Sequence, residues 1–576
     1  MYISNVHIEN FRNFTSIDIP LKPFAILVGK NDSGKSNLID AINIILYNNK
    51  GNFYSKNLSK YDFNNDAVKN FEAEITRIYS EFEEGIIAEK FVDAAIEVFP
   101  KIAISMRFED PVDEYQKSLL KDWLNGDEAM QYFEVQYEYK IKDKNKLEKR
   151  IRKMIDDGLF EENYSKIELY LDLFEYRLFS LNNEKDINYT KIRNFAANTI
   201  SADRDYFSSD DGIHSSRTIS RIIDKGLVLK DKLALKDMYS QFFNAVQSLK
   251  TFKSIYKKII EQSESISEFI KKIELIPNAK KYRDIIDNIT LSYGHDMMFQ
   301  RGLGTRNLIL ILTLYSYFLD GGIEGVDKYF NLVCIEELES HLDINNMKLA
   351  VEFIEKAKDR NSLTQLILST HNSHIINKLH MNSITMLRGN DKAISLENVD
   401  SALVYYLAKR ENFDTLNLLY AERLLLVEGA TEEIFLNCLL QNNSINNVKV
   451  ISIGQKGFTT FIEIWKEVHG EGDKLGVIRD NDNQPNAKSN HEKYNSEVVK
   501  VATSFGKEFE NDIILQGENL GVLNEIFSTK HNSDGMYKLL IKDKLNSILK
   551  ICHAIEKGES IATPDYIKCV LEWIKT

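Results

Sequence analysis

Two groups of residues suited to phosphate chemistry stand near opposite ends of this 576-residue sequence. Near the start, Gly29, Lys30, Asn31, Asp32, Ser33, Gly34, Lys35 and Ser36 spell Gly-x-x-x-x-Gly-Lys-Ser, and Asn37 follows. The glycines let the backbone curl so that its N–H groups face phosphate oxygens. Lys35 then reaches the β and γ phosphates, Ser36 ligates Mg²⁺, and Asn31 and Asn37 flank the same nucleotide. Near the end, Glu428, Glu432, Asp480 and Asp482 offer hard carboxylate oxygens. Such ligands suit Mg²⁺ or Mn²⁺ and not Zn²⁺. Two such ions stabilise both the attacking and the leaving oxygen of an in-line phosphodiester displacement.

The elements that position the first group are legible around it. Phe24 to Val28 is a short apolar strand, and Leu38, Ala41, Ile42 and Ile45 follow at helical spacing. This strand, loop and helix context makes the pattern specific for a nucleotide such as ATP. Leu332 to Ile335 is an apolar strand ending in Glu336 and Glu337. Glu336 suits the Mg²⁺ shell and Glu337 suits orienting the attacking water. A strand that merely ends in solvated acids explains the pair if taken alone, and less well beside the phosphate loop. Ser369, Thr370 and His371 close a third strand, where His371 is placed to sense the γ phosphate.

The second group also sits on strand ends. Leu424 to Val427 delivers Glu428 to the carboxyl edge of a sheet, where open α/β sheets bind ligands. Thr431 is expected to cap the next helix, with Glu432 in its first turn. The strand Leu475 to Ile478 ends at Arg479, Asp480, Asn481 and Asp482, two aspartates able to share a metal through a turn. Either motif alone carries little weight against the bland reading of solvated acids. With the strand Val448 to Ile453 and the helix Glu432 to Leu440, the alternation describes a small parallel α/β domain.

Composition bounds the rest. The chain is 43% hydrophobic and 28% charged, an ordinary globular balance for roughly three or four domains. Its start resembles a strand and not a targeting signal. The longest apolar stretch, Leu308 to Leu319, falls short of the ~20 residues that span a bilayer and reads as a buried helix, so no membrane partner is expected. Cys334, Cys438, Cys552 and Cys569 show neither metal-ligand spacing nor a disulfide framework, which fits a reducing cytoplasm. The net charge of -13 argues against a metal-free basic DNA-coating protein. It leaves room for DNA held through metal ions on carboxylates.

The fold class expected is α/β: an ATPase head discontinuous over 1–212 and 286–415, a helical insert over 213–285, and a C-terminal α/β domain over 416–576. Ile102, Ile104, Met106 and Phe108 alternate, as do Phe133, Val135, Tyr137, Tyr139 and Ile141, which predicts half-buried antiparallel strands. In the insert, Phe242, Val246, Leu249, Phe252, Tyr256 and Ile259 form one apolar stripe that needs a partner. Packing within its own domain competes evenly with dimerisation on the pattern alone. The position inside the head favours a dimerisation element.

Asn10-Phe11-Arg12-Asn13-Phe14, the phosphate loop, Glu336-Glu337 and Ser369-Thr370-His371 resemble the ABC-type ATPase heads of the RecF, SMC and OLD (overcoming lysogenization defect) families. The resemblance implies ATP sandwiched between two heads, with Arg301-Gly302-Leu303-Gly304-Thr305-Arg306 as the segment that crosses from the partner. Arg301 stands where those families usually carry Ser, and the usual Glu-Glu-Pro-Glu is Glu336-Glu337-Leu338-Glu339, so ATP binding is implied more firmly than fast turnover.

The order and spacing of Glu428, Glu432, Asp480 and Asp482 are similar to the Toprim domain of topoisomerases, primases and OLD nucleases. Leu419-Tyr420-Ala421-Glu422-Arg423 through Glu428 is particularly similar to the OLD family, of the Gabija-like kind. That resemblance implies a Toprim endonuclease of prokaryotic anti-phage defence with two metals. Glu428, Glu432, Asp480 and Asp482 would be ligands, Glu518 a further metal carboxylate, and Lys544 a stabiliser of transition-state charge. It also implies double-stranded DNA as substrate, a homodimer or larger homo-oligomer through heads and insert, and a UvrD-like helicase or another defence-operon product as partner. The competing reading is an SMC- or RecF-like repair clamp with a non-cleaving Toprim appendage. Retention of all four carboxylates favours cutting. A topoisomerase or primase fits worse, because no cysteine cluster accompanies the Toprim motifs.

Overall fold

A computed structural model describes residues 1–48, 58–81, 93–111, 114–127, 130–156, 168–181, 184–187, 192, 194–202, 223, 227–248, 292–293, 296–297, 300–319, 329–358, 363–379, 381–389, 391–397, 415–454, 457–470 and 472–575. These form two compact units, Met1–Ala25 with Gly34–Thr370, and Ile26–Ser33 with His371–Thr576. The expected boundary at 415/416 thus falls inside the second unit. The strand Ile384–Arg388 pairs there with the second part of Phe24–Gly29, Ile384 opposite Ile26, and with Lys392–Ser395. Most of the insert lies outside the described residues, including Leu249, Phe252, Tyr256 and Ile259 of the stripe. Its helix Leu229–Ser248 is described and leaves Phe242 exposed.

The first unit contains an antiparallel sheet and a parallel one. Ile102–Glu109 lies between Tyr2–Phe11 and Met130–Ile141, antiparallel to both, as its alternating pattern predicts. Its inward residues Ile102, Ile104, Met106 and Phe108 are fully buried. The parallel sheet runs Tyr47–Asn48, Phe195–Ile200, Phe330–Ile335, Thr364–Thr370. Every residue of Phe195–Ile200 and Phe330–Ile335 is buried, which is why these mainly apolar strands do not alternate, and their buried Asn198 and Asn331 bond to each other at 2.8 Å. The two sheets are fastened by rings: Phe108 meets Phe330 edge-on at 5.5 Å between centroids and Phe195 at 5.8 Å, and Trp123 meets Phe195 at 4.8 Å. Aromatic pairs in such tilted arrangements add to the stabilisation from their burial.

Gln365 ties the sheets at a second point. Its Nε2 donates to the carbonyls of Ile3 and Lys22 at 2.9 and 2.8 Å, and its Oε1 accepts from the Ile3 N–H at 2.8 Å. The apolar helix Leu303–Leu319 turns Leu308, Leu310, Ile311, Leu314 and Phe318 inward, as expected of a buried helix. Among the described residues no helix is long and apolar enough to cross a membrane. All four cysteines are free, and Cys569 is the exposed one.

In the second unit four strands form a parallel sheet in the order Lys449–Ser452, Arg423–Val427, Lys474–Arg479, Val499–Thr503. Helices cover it, and Leu425, Val427, Phe435, Ile478, Phe509, Ile551 and Ile567 share its core. Parallel pairing with short connections sends every strand's carboxyl end to one edge. The candidate metal ligands stand there.

Candidate nucleotide and metal sites

The nucleotide loop follows from its backbone. Asp32 takes φ 67°, and Gly34 takes φ 100° as the residue that opens the helix Lys35–Ile45. A side chain at Gly34 would also collide, since its Cβ would lie 2.3 Å from Phe14 Cζ. Glycine is therefore needed for both conformation and space. No side chain caps this helix. A helix N-terminus of this kind presents main-chain donors toward phosphate. The buried Ser33 Oγ has no hydrogen-bond partner within the described structure, a further polar atom suited to an anion. Lys35 is buried, Ser36 and Asn31 are exposed, and Gly29 ends its strand. Asn37 is engaged otherwise: its Nδ2 donates to Asn13 Oδ1 at 2.7 Å, and its Oδ1 accepts from Arg12 at 3.0 Å. Arg12 also pairs with Asp40 at 2.6 Å and Asp62 at 3.1 Å, so the Asn10-Phe11-Arg12-Asn13-Phe14 motif braces this helix.

In the same unit, the Glu336 N–H donates to the Ile200 carbonyl at 2.9 Å, fixing the start of the acidic turn. Glu337 adopts φ 42°, its N–H donates to Ser369 Oγ at 3.0 Å, and its Oε2 accepts from Ser340 at 2.9 Å. Thr370 donates to Glu339 Oε2 at 2.9 Å. The Ser369-Thr370 pair thus orients the acidic turn from the neighbouring strand. Gly304 lies against the same turn, its Cβ position 3.0 Å from the His341 carbonyl. His371 is exposed at the end of its strand.

At the other site, the strand Arg423–Val427 leads to Glu428, Gly429 and the helix Ala430–Asn442. Gly429 is the residue before the helix. Thr431, expected as the cap, lies in the first turn and donates to Glu432 Oε2 at 3.0 Å. Glu432 and Glu428 are both buried. Because Arg423–Val427 and Lys474–Arg479 are parallel neighbours, with Leu426 opposite Val477, Glu428 meets the turn after Arg479. Its Oε1 accepts from the Asp480 N–H at 3.2 Å and lies 3.5 Å from Arg479 Nε. Asp482 is exposed, with φ 51°.

Electrostatics show which groups crowd together. Burial, with Glu432, Glu428, Glu510 and Asp482 adding repulsion, pushes the Asp480 carboxyl up to about 8. Burial also raises Glu428, against the opposing pull of the Asp480 N–H and Arg479. Glu510, which sequence reasoning missed, is buried and raised mainly by desolvation, and its Oε1 has no hydrogen-bond partner in the described structure. Its Oε2 is 3.0 Å from Lys544 Nζ, which also meets Glu508 Oε2 at 2.6 Å. Burial disfavours the Lys544 charge, but the bonds to Glu508 and Glu510 outweigh it and hold the ammonium above its ordinary value.

Glu518 is placed differently from expectation. It precedes the helix Asn519–Phe527, is exposed, and is not among the acids that perturb Asp480. Glu510, in the first turn of the helix Phe509–Leu515 after the fourth parallel strand, Val499–Thr503, is among the acids that raise Asp480. The oxygen-only donor set and the orphaned Glu510 oxygen fit a hard divalent cation. Among the described residues no three carboxylate, imidazole or thiol groups already converge on one ion position.

Residues 1–376 match the AAA ATPase domain. The chain belongs to that family. Residues 419–482 of this AAA ATPase-domain protein match the Toprim domain of overcoming lysogenization defect-like proteins, bearing out the OLD-type architecture read from the motifs. The chain is 22% identical to Endonuclease GajA of Bacillus cereus (strain HuB5-5), over 85% of this chain and 78% of the relative. It is 23% identical to Endonuclease GajA of strain VD045, over 80% of this chain and 72% of the relative. A shorter stretch, 12% of this chain and 20% of the relative, is 37% identical to the DNA replication and repair protein RecF of Clostridium botulinum (strain ATCC 19397 / Type A). An AAA ATPase domain and a Toprim domain use a nucleotide and a divalent metal respectively.

Proposed function

We propose that this chain is a metal-dependent DNA endonuclease whose ATPase head regulates cleavage, acting in prokaryotic antiviral defence. One observation carries the reading most. Glu428, Asp480 and Asp482 follow the ends of two adjacent parallel strands, Glu432 and Glu510 lie in the first turns of the helices Ala430–Asn442 and Phe509–Leu515, and Lys544 is held against Glu510. The similarity to Endonuclease GajA over most of both chains supports the same activity.

Two Mg²⁺ or Mn²⁺ ions per site would be held by Glu428, Glu432, Asp480, Asp482 and Glu510. Bound there, they would supply the Lewis acidity for attack on a phosphodiester. The protein's own contribution is to position and neutralise. Lys544 carries a retained positive charge toward the developing charge on phosphate. Burial of Glu428, Glu432 and Glu510 excludes water from their inner oxygens. In the head, Gly29, Asn31, Gly34, Lys35 and Ser36 would hold Mg-ATP, Glu336 would support its metal, Glu337 would orient water, and His371 would sense the γ phosphate.

Double-stranded DNA is the substrate under this reading. A homo-oligomer through heads and insert, with a helicase or another defence-operon product as a further partner in the cytoplasm, completes it. The test is cleavage of plasmid DNA by parent and Glu428→Ala with Mg²⁺ or Mn²⁺, with and without ATP. Metal-dependent cutting by the parent, modulated by ATP and lost in the variant, supports it. DNA retention without cutting by the parent would instead favour the clamp.

A further inference from the structure

Phe505 is 64% exposed, and the fold holds it there. Its N–H donates to Asp512 Oδ2 at 2.8 Å, and the Gly506 N–H donates to Asp512 Oδ1 at 2.7 Å. Asp512 itself is 6% exposed. A buried carboxylate that accepts two main-chain N–H groups fixes a loop strongly, because such bonds are charge-assisted. Gly506 is also required by close approach: a Cβ there would lie 2.7 Å from Asn511 Cβ and 2.9 Å from Asp512 Oδ1.

The same loop is stitched to the turn that carries Asp480 and Asp482. The Ser504 N–H donates to the Arg479 carbonyl at 2.9 Å, the Asn481 N–H to Ser504 Oγ at 2.8 Å, and the Asp482 N–H to the Lys507 carbonyl at 2.8 Å. One ring contact is edge-on to Tyr566, with centroids 6.1 Å apart. Lys488 Nζ stands 5.8 Å from the ring centroid, and the exposed Lys507 follows two residues later in the loop.

A single exposed apolar side chain is ordinary on a protein surface and needs no explanation. This one differs in three ways. Its main chain is fixed by the buried Asp512, its loop is anchored to the turn carrying candidate metal ligands, and Lys488 stands beside the ring. Aromatic rings beside cations are the means by which proteins hold unpaired nucleobases, since every base presents a π face.

We propose that Phe505 is a stacking platform for an unpaired nucleobase of DNA next to the scissile phosphate, with Lys488 and Lys507 on the flanking backbone phosphates. The inference rests on the DNA-cleaving reading above and adds a preference to it: duplexes with an unstacked base are better substrates than fully paired ones. Asp512 is a positioning residue for this platform.

The test uses the full-length chain and two short duplexes of one sequence, one fully paired and one with a single unpaired 2-aminopurine. Binding, 2-aminopurine quenching and Mn²⁺-dependent cleavage are compared for parent, Phe505→Ala and Phe505→Tyr. The parent prefers the unpaired duplex and quenches its fluorescence. Phe505→Ala loses the quenching and about tenfold of the preference, as expected for removing one base–aromatic stack, while Phe505→Tyr keeps both. The melting temperature stays that of the parent, since the ring is mostly exposed. Equal preference and quenching in parent and Phe505→Ala overturns the proposal, as does a loss that Phe505→Tyr fails to restore or that affects both duplexes equally. A parent that cuts neither duplex under any metal condition signals instead that the nuclease reading itself has failed.

Discussion

The Asp480 N–H donates to Glu428 Oε1 at 3.2 Å, so two acids 52 residues apart are locked at one edge of the parallel sheet. The bond favours the charged form of Glu428 and does nothing for the Asp480 carboxyl, which faces four other acids and rises to about 8. The cluster is thus short of positive charge by construction, and its chemistry depends on what supplies that charge.

The raised Asp480 has a consequence for stability. In the folded protein it keeps its proton up to about pH 8, whereas the unfolded chain releases it near the ordinary 3.8. Between those values the folded state binds more protons, so this group makes metal-free stability fall as pH rises. Melting temperatures of metal-free parent and Asp480→Asn, measured at about pH 6 and about pH 8.5, should show a larger decline in the parent. Equal declines would mean that Asp480 does not titrate in this window.

Lys35→Ala should abolish ATP binding while leaving the fold intact. Lysine acts on phosphate as a point charge, and alanine has a high helix propensity at this first helical position. Thermal stabilisation by Mg-ATP reports it: present in the parent, absent in the variant. A variant stabilised as much as the parent would remove the nucleotide assignment.

Tyr566 is buried, and its hydroxyl has no hydrogen-bond partner in the described structure. Its phenol is raised well above the ordinary value, first by burial and then by Asp480, Asp512, Glu432 and Glu510, so it remains neutral. Removing an unsatisfied buried hydroxyl forfeits no bond within the chain, so Tyr566→Phe should leave metal-free stability within about 1 kcal/mol of the parent. A larger loss on chemical denaturation would show that the hydroxyl has a partner.

Much of this was legible because local pattern and global fold agree. Alternation marked Ile102–Glu109 and Met130–Ile141, and apolar runs ending in acids marked Phe330–Ile335, Arg423–Val427 and Lys474–Arg479. What was missed needed the sheet order. Glu510 follows a strand whose place beside Lys474–Arg479 no motif announces, whereas the resemblance points to Glu518, which the structure leaves exposed. Thr431 was misplaced by two positions because Gly429 already occupies the turn into the helix. Asn37 carries no local sign that Arg12 and Asn13 engage its amide from the turn between the first two strands.

The most direct test of the central claim is metal-dependent cleavage of one plasmid by parent, Asp480→Ala, Glu510→Gln and Glu518→Gln across Mg²⁺ and Mn²⁺ concentrations. The proposed function makes Asp480 and Glu510 direct ligands, and even outer-shell partners of a metal are worth about 10–100-fold, so both variants should lose more than about a hundredfold in rate. Glu518→Gln should cut like the parent, and all four should be stabilised equally by Mg-ATP. Cleavage by Asp480→Ala and Glu510→Gln at the parent rate would contradict the assignment of this acid-lined sheet edge as the site of DNA hydrolysis.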